Sequence, residues 1–429
     1  MITTVERQSN DYVLAQRNCI SKTKWLFILF WIRYTVIYWG CVILNQIPFL
    51  INVTPIVFPI LLIVALLEWL KGTNYRLDIF NIVVLFGAIV LWFVSRQIHH
   101  NYQYFFDENI WRCFEAFLMI YVGKSVFRGG INDGSYGLLV KLSRLGIALT
   151  ALYFIYGAFS GRVVASEYMT ISYRVLPSTL CVTSAFLKKI NVRSTLWFIG
   201  AVILQVFMGT RGAVLSVAVF IILYVFLFAK RKLFFIFLAC VIIFIVMDYV
   251  LNFSTLLLKF LASVCKSLNM STRIVESILN NSIADDNGRE KIYMFVINHI
   301  WDNILIGEGI FADRYILLKF PGGAPYVHNI FLELWSNFGL IPSCIIMITI
   351  FVLVFRFLIC KRQSKESRLL LMIVFTASMV QLMFTGSYLT DAPFWLLIGM
   401  LWGIGKYSKL KPIKQADQCL ARHVNFYRG

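Results

Sequence analysis

Long apolar runs separated by short polar and basic segments make up most of the chain. Several runs contain roughly 18 residues or more, which is enough for an α-helix to cross the hydrocarbon core of a membrane. Backbone N–H and C=O groups in lipid must be paired within their own segment, so these runs are predicted to be helices. The pattern predicts an all-α polytopic membrane protein with about 12 transmembrane helices.

One long polar segment interrupts this pattern, between the ninth and tenth predicted spans. It covers residues 252–328 and contains a turn-forming cluster at 280–291, followed by the amphipathic stretch IYMFVINHIWDNILIG. That stretch predicts a short helix lying on the membrane surface. No linker or internal repeat is present, so residues 1–429 are predicted to form a single integral membrane domain. The predicted spans are 24–44, 48–70, 78–98, 110–127, 138–160, 170–188, 195–210, 212–229, 232–251, 329–357, 368–385 and 392–406.

The charge distribution indicates the orientation of these spans. The chain has a formal net charge of +19, and its 40 Lys and Arg residues fall mainly in short clusters between apolar runs. Nucleic-acid-binding proteins collect basic residues on one soluble face instead, so no nucleic-acid partner is predicted. The positive-inside rule places both termini in the cytoplasm and residues 252–328 on the opposite side of the membrane. Membrane lipids are the only partner that the composition itself predicts.

The segment PYVHNIFLELWSNFGL at 325–340 carries the clearest candidate for chemistry. His328 lies where the large loop re-enters the membrane, and an imidazole there can accept a proton from a hydroxyl group near neutral pH. The alternative is a histidine that only caps the start of span ten. The position favours a functional role for His328.

A second candidate is Arg211, in the segment MGTRGA at 208–213. It lies at a tight reversal between two apolar runs, where an ionisable residue is costly and is commonly functional. Its planar guanidinium suits bidentate contact with a phosphate group. The alternative is an arginine that reaches the lipid headgroups.

Three further arginines are predicted on the same side of the membrane. Arg289 follows the turn cluster in the large loop, while Arg162 and Arg174 lie at the ends of spans five and six. Each of them alone is most simply a surface charge. Together with Arg211, they are candidates for a basic pocket that binds a pyrophosphate. No P-loop, dinucleotide-binding or metal-ligand pattern is present, so neither a cofactor nor a metal site is predicted.

At these residues the chain resembles the superfamily of O-antigen polymerases and O-antigen ligases, in which a Ser/Thr-Arg-Gly element precedes a large outside loop. The order here is Thr-Arg-Gly at 210–212, Arg289, a Gly-Glu-Gly turn at 307–309, and then His328, Asn329 and Gly339. The last three match the family's H[NSQ]-x9-G spacing. Pro342 stands where the family motif ends in Gly, Thr or Tyr, and the first half of the chain is matched only by its spans.

The resemblance implies a GT-C-like glycosyltransferase in the bacterial inner membrane, with its active site facing the periplasm. The donor would be a glycan on undecaprenyl pyrophosphate, transferred with inversion and without a metal. His328 would be the general base, Arg211 and Arg289 would hold the pyrophosphate, and Asn329 and Gly339 would support the site. A chain-length regulator protein is a candidate additional partner.

Three functions remain open at this point. A polymerase would transfer the growing glycan to the non-reducing end of another lipid-linked repeat unit, whereas a ligase would transfer it to the lipid A core. The departure at Pro342 favours the polymerase. A flippase for lipid-linked sugars would also have many spans, but it is expected to show paired repeats and broken helices near the membrane centre.

Overall fold

A computed structural model describes residue 31 and residues 79–98, 111–129, 133–160, 165–208, 210–229, 259–260, 262–263, 289–301, 304–321, 323–360 and 363–403. Every regular element within these ranges is helical, as the all-α prediction requires. Apart from Trp31, the first two predicted spans lie outside the described residues, as do the ninth span and most of the first half of the large loop.

The described helices follow the apolar runs closely, with two additional short helices in the large loop. They are α1 (Ile79–Ile98), α2 (Trp111–Gly129), α3 (Asp133–Ser160), α4 (Ala165–Lys188), α5 (Val192–Phe207), α6 (Arg211–Phe228), α7 (Arg289–Trp301), α8 (Ala312–Leu317), α9 (Ile330–Phe338), α10 (Leu340–Ile359), α11 (Lys365–Phe375) and α12 (Ala392–Gly403). A π-helical turn, Thr376–Val380, continues α11.

Three of the described helices are long and apolar enough to cross a membrane. The first is Gly134–Tyr156, which lies within α3. The other two are α6 and α10 over their full lengths. Along α10, the side chains of Ile341, Ile345, Ile348 and Val352 are exposed and recur at helical spacing. Such a stripe is expected on a helix that faces lipid. The chain is a multi-pass membrane protein, while the number of spans and their orientation stay predictions.

Helix α4 lies at the centre of the described bundle. It packs against α3, α5, α6 and α11, and its residues Leu176 and Leu180 are fully buried in the largest apolar core. Pro177 lies inside α4 without ending it, as is tolerated in membrane helices whose neighbours pair the freed backbone groups.

Two glycines allow α2 and α12 to cross in close contact. A Cβ atom on Gly123 would lie 2.3 Å from the carbonyl oxygen of Leu396, and one on Gly399 would lie 2.1 Å from that of Ile120. Small residues at such crossings let helix backbones approach each other in membranes. Helix α2 corresponds to the fourth predicted span, which contains charged residues. One of them, Lys124, is buried beside the ring of Trp402, so its charge does not prevent the helix from packing.

The prediction of one continuous span at 329–357 is wrong. The structure divides this segment into α9 and α10 at Gly339, where φ is +86°. The turn at 304–309 packs against the break through backbone hydrogen bonds. Gly309 N–H donates to the carbonyl oxygen of Asn337 at 3.0 Å, and Leu340 N–H donates to the carbonyl oxygen of Ile304 at 3.0 Å. The turn thus pairs backbone groups that the interrupted helix leaves free.

Gly339→Ala tests the importance of this break. A Cβ there would lie 2.1 Å from the carbonyl oxygen of Leu305, in a backbone conformation that favours glycine. We expect the free energy of unfolding to fall by at least about 2 kcal/mol, measured in detergent. The control is Gly200→Ala in α5, where the added Cβ meets nothing within 4 Å and stability should hold or rise. Equal stability of the two variants would contradict this account of the break.

Candidate active site

His328 occupies a strained position immediately before α9. Its φ is +58°, in the left-handed region that few non-glycine residues adopt. Asn329, not His328, caps the helix: its side-chain oxygen accepts hydrogen bonds from Phe331 N–H at 2.9 Å and Leu332 N–H at 3.3 Å. The capping alternative for the histidine therefore does not hold. Strain of this kind persists where the surroundings enforce it, and it is common at functional sites.

The surroundings of His328 keep its imidazole neutral. Burial first, and the nearby positive charge of Arg289 second, lower the pKa of His328 to about 4. The Nδ1 atom is buried without a hydrogen-bond partner among the described residues, so no carboxylate there raises the basicity of the ring. The ring lies against that of Tyr326, with 4.1 Å between their centroids. The neutral ring can thus accept a proton on one of its nitrogens at neutral pH.

Arg289 is the first residue of α7 and connects this helix to the segment after α11. Its Nη1 donates a hydrogen bond to the carbonyl oxygen of Phe384, which follows α11. Its charge also acts on the imidazole of His328 and on the phenol of Tyr173 in α4. The structure therefore places Arg289 within electrostatic range of His328.

Arg211 is the first residue of α6 and is half-buried. The next residue, Gly212, lies against Tyr173: a Cβ on Gly212 would be 2.6 Å from the Tyr173 hydroxyl oxygen. Tyr173 therefore lies against the Thr-Arg-Gly turn and within electrostatic range of Arg289. Both arginines stand at the N-terminal ends of helices, where the helix dipole and unpaired N–H groups favour anions.

A buried polar network holds the Thr-Arg-Gly turn onto α4. The hydroxyl groups of Ser172 and Thr210 are hydrogen-bonded to each other, and Ser172 also donates to Gln205 at 2.5 Å. Gln205 in turn donates to the hydroxyl of Thr179 at 3.0 Å. Four polar side chains with their partners inside the bundle fix the reversal between α5 and α6, and so fix the start of the helix that carries Arg211.

A second network, centred on Arg314 in α8, supports the segment that carries His328. Arg314 is buried, and its Nη1 contacts Asp313 at 2.9 Å and Glu333 at 3.2 Å. Its Nη2 donates to the Ser387 hydroxyl at 2.7 Å. Burial alone would lower the pKa of Arg314, but Asp313 and Glu333 together raise it above the ordinary value. The guanidinium therefore stays charged and joins the large loop to α9 and to the segment after α11.

Asp313 and Arg314 also reach the residues just before His328. Asp313 Oδ2 accepts a hydrogen bond from Val327 N–H at 3.2 Å. The Arg314 guanidinium carbon lies 5.9 Å from the centroid of the Tyr326 ring, and that ring packs on His328. The ion network is thus connected to the imidazole through one backbone hydrogen bond and one aromatic contact.

The remaining predicted site residues have simpler positions. Arg162 lies outside the described residues, and Arg174 is half-buried on α4, one residue after Tyr173. The Gly-Glu-Gly turn does not face the site: a Cβ on Gly307 would lie 2.3 Å from Phe338 N, so this glycine serves close packing against α9. Gly339 lies at the break between α9 and α10, as described above.

Several residues that the sequence analysis did not single out belong to this arrangement. They are Tyr173, Asp313, Arg314, Tyr326, Glu333 and Ser387. Glu333 had a readable signal, because it is a carboxylate within an apolar run and such residues are usually paired and important. Tyr173 had none, since its proximity to Gly212 arises only when α4 and α6 pack.

One family of known proteins matches part of the chain. Residues 195–342 match the family described as O-antigen ligase. The match begins in α5 and runs through Arg211, Arg289, His328 and Gly339. Over these residues it confirms the resemblance to the superfamily of O-antigen polymerases and O-antigen ligases that the motifs indicate. No curated protein and no solved structure matches the chain.

Arg314→Lys tests the buried ion network. Lysine keeps the charge but cannot contact Asp313, Glu333 and Ser387 at once. We expect the free energy of unfolding in detergent to fall by roughly 2–4 kcal/mol. The same substitution at Arg356, which is exposed on α10, should change it by less than about 0.5 kcal/mol. If both variants unfold like the wild type, the network does not support the site.

Proposed function

We propose that this protein is a polysaccharide polymerase of the bacterial inner membrane. It transfers a growing glycan from undecaprenyl pyrophosphate to a hydroxyl group at the non-reducing end of a lipid-linked repeat unit. In the proposed topology both termini are cytoplasmic, and residues 252–328 lie in the periplasm with the active site. The observation that carries the proposal is a neutral, partly buried His328 in a left-handed backbone conformation, within electrostatic range of Arg289, in a helical membrane protein.

The proposed reaction is a direct displacement at the anomeric carbon. The acceptor hydroxyl oxygen attacks this carbon while His328 Nε2 takes the hydroxyl proton. The bond between the anomeric carbon and the phosphate oxygen breaks, and its electron pair leaves with undecaprenyl pyrophosphate. Arg289 and Arg211 bind the departing charge, which preorganised cations stabilise without rearrangement. Attack from the side opposite the leaving group inverts the anomeric centre.

A weak base is sufficient for this chemistry. Pyrophosphate is a good leaving group, so the acceptor proton needs to move only as the new bond forms. A base with a low pKa also remains unprotonated in an acidified periplasm. Arg174 and Arg162 are proposed to extend the cationic surface toward the rest of the donor, while Asn329 and Gly339 hold the His328 segment at the start of α9 and α10.

A ligase that transfers the glycan to the lipid A core is the second candidate. The matched family carries that description, and its match ends at Pro342, the position at which this chain departs from the family motif. The two activities share the donor and the chemistry and differ in the acceptor. A chain-length regulator protein is a proposed partner of the polymerase alone.

Complementation of a deletion strain separates these functions. Wild type should restore a long glycan ladder on a gel, whereas His328→Ala should leave single repeat units because the acceptor proton has no base. His299→Ala is the matched control in the same loop, since His299 forms only a partly exposed pair with Glu308 at 3.2 Å. It should retain at least about half of the polymer.

Other gel patterns would change the conclusion. Long glycan that remains on the carrier lipid in the deletion strain, with the lipid A core unmodified, would indicate a ligase. Repeat units confined to the cytoplasmic leaflet would indicate a flippase and remove the proposed role of His328. A full ladder from His328→Ala, at wild-type protein level, would refute the base assignment.

The pH profile provides a further test of His328. The ring must be neutral to act as a base, so activity is lost as the pH falls through the pKa of the folded protein. Because that pKa is lowered to about 4, kcat/KM of the purified enzyme should stay level down to about pH 5 and then fall. An acid limb centred near 6.5, the usual histidine pKa, would show that His328 is not the group described here.

A further inference from the structure

The hydroxyl group of Tyr173 lies at the point where the Thr-Arg-Gly turn meets the rest of the site. Its oxygen is 2.6 Å from the position that a Cβ on Gly212 would occupy. The rest of the ring is farther away, since Cε1 and Cζ are both 3.5 Å from that position. Glycine at 212 therefore leaves room for the hydroxyl group in particular, rather than for the ring as a whole.

This hydroxyl has no hydrogen-bond partner among the residues that the structure describes, and the tyrosine is half-buried. Its electrostatic neighbours are Arg289 and Tyr326. The first turn of α6, which begins at Arg211, lies beside it. A polar O–H group beside a helix N-terminus and within electrostatic range of a guanidinium is well situated to meet an anion, because it can donate where the other two groups also attract negative charge.

We propose that Tyr173 is a donor-binding residue, whose hydroxyl group donates a hydrogen bond to a pyrophosphate oxygen of the lipid-linked donor held between Arg211 and Arg289. This inference rests on the proposed function and adds a residue to the binding site. The hydroxyl group adds one further directional contact to those of the two arginines. In this proposal, Gly212 of the Thr-Arg-Gly element leaves the space that the Tyr173 oxygen occupies.

The test measures binding of undecaprenyl pyrophosphate, the proposed reaction product, to the purified full-length protein. Tyr173→Phe removes only the hydroxyl oxygen and should weaken binding about 10-fold or more, since a hydrogen bond to a charged group is lost. Gly212→Ala should weaken binding too, because the new Cβ displaces that oxygen. In the Tyr173→Phe background, Gly212→Ala should have little further effect, since the atoms that remain are at ordinary contact distance. The matched control is Tyr156→Phe, on an exposed position of α3.

Each result has a distinct meaning. If the wild type binds and Tyr173→Phe binds equally well, the assignment of Tyr173 is wrong and the proposed function stands. If the wild type does not bind undecaprenyl pyrophosphate at all, the proposed function fails, and this inference fails with it. The melting temperatures of Tyr173→Phe and wild type should be equal. Loss of stability together with binding would assign the hydroxyl to packing and overturn the proposal.

Discussion

An interrupted helix needs partners for its free backbone groups, and the candidate site depends on how this chain supplies them. The run from 330 to 359 is apolar enough to continue as one helix, yet it breaks at Gly339. The turn at 304–309 pairs with the broken end. Because α7 directly precedes that turn, the pairing brings α7 beside α9, so Arg289 can lie near His328. Without the break, the large loop would lose these backbone contacts with the bundle.

Two polar networks hold the segments that carry the candidate residues Arg211 and His328. One is buried between α4, α5 and α6 and fixes the turn that carries Arg211. The other surrounds Arg314 and ties the loop to α9 and to the segment after α11. Both replace lost hydration with internal hydrogen bonds, which buried polar groups require. One network adjoins Arg211 and the other adjoins the segment of His328, so polar groups outside the candidate site help to set its geometry.

Arg289 has opposite effects on the two halves of the proposed reaction. Its charge attracts the pyrophosphate and also lowers the basicity of His328. A bound pyrophosphate would offset that charge, so donor binding would make the imidazole a stronger base. In the free protein the base would then be weak, and it would gain strength once the donor is in place. This coupling follows from the proximity of the two side chains and needs no change of conformation.

Much of the fold could be predicted from the sequence, because the length and apolar character of a run are enough to indicate a membrane helix. The break at Gly339 could not, since its partner lies some thirty residues earlier in a polar loop and only packing reveals the pairing. His328, Arg211 and Arg289 were predicted from motif order. Tyr173 was not, because a tyrosine in an apolar helix has no local signature and its role arises from the packing of α4 on α6.

The most direct test of the central claim is reconstitution of the purified protein in vesicles with lipid-linked repeat units, without nucleotide. The account predicts that the wild type forms polymer and releases undecaprenyl pyrophosphate in step with each new linkage. His328→Ala should do neither, although its melting temperature is unchanged. Polymer formed by His328→Ala at the wild-type rate would contradict the account, because the imidazole would then not be the base.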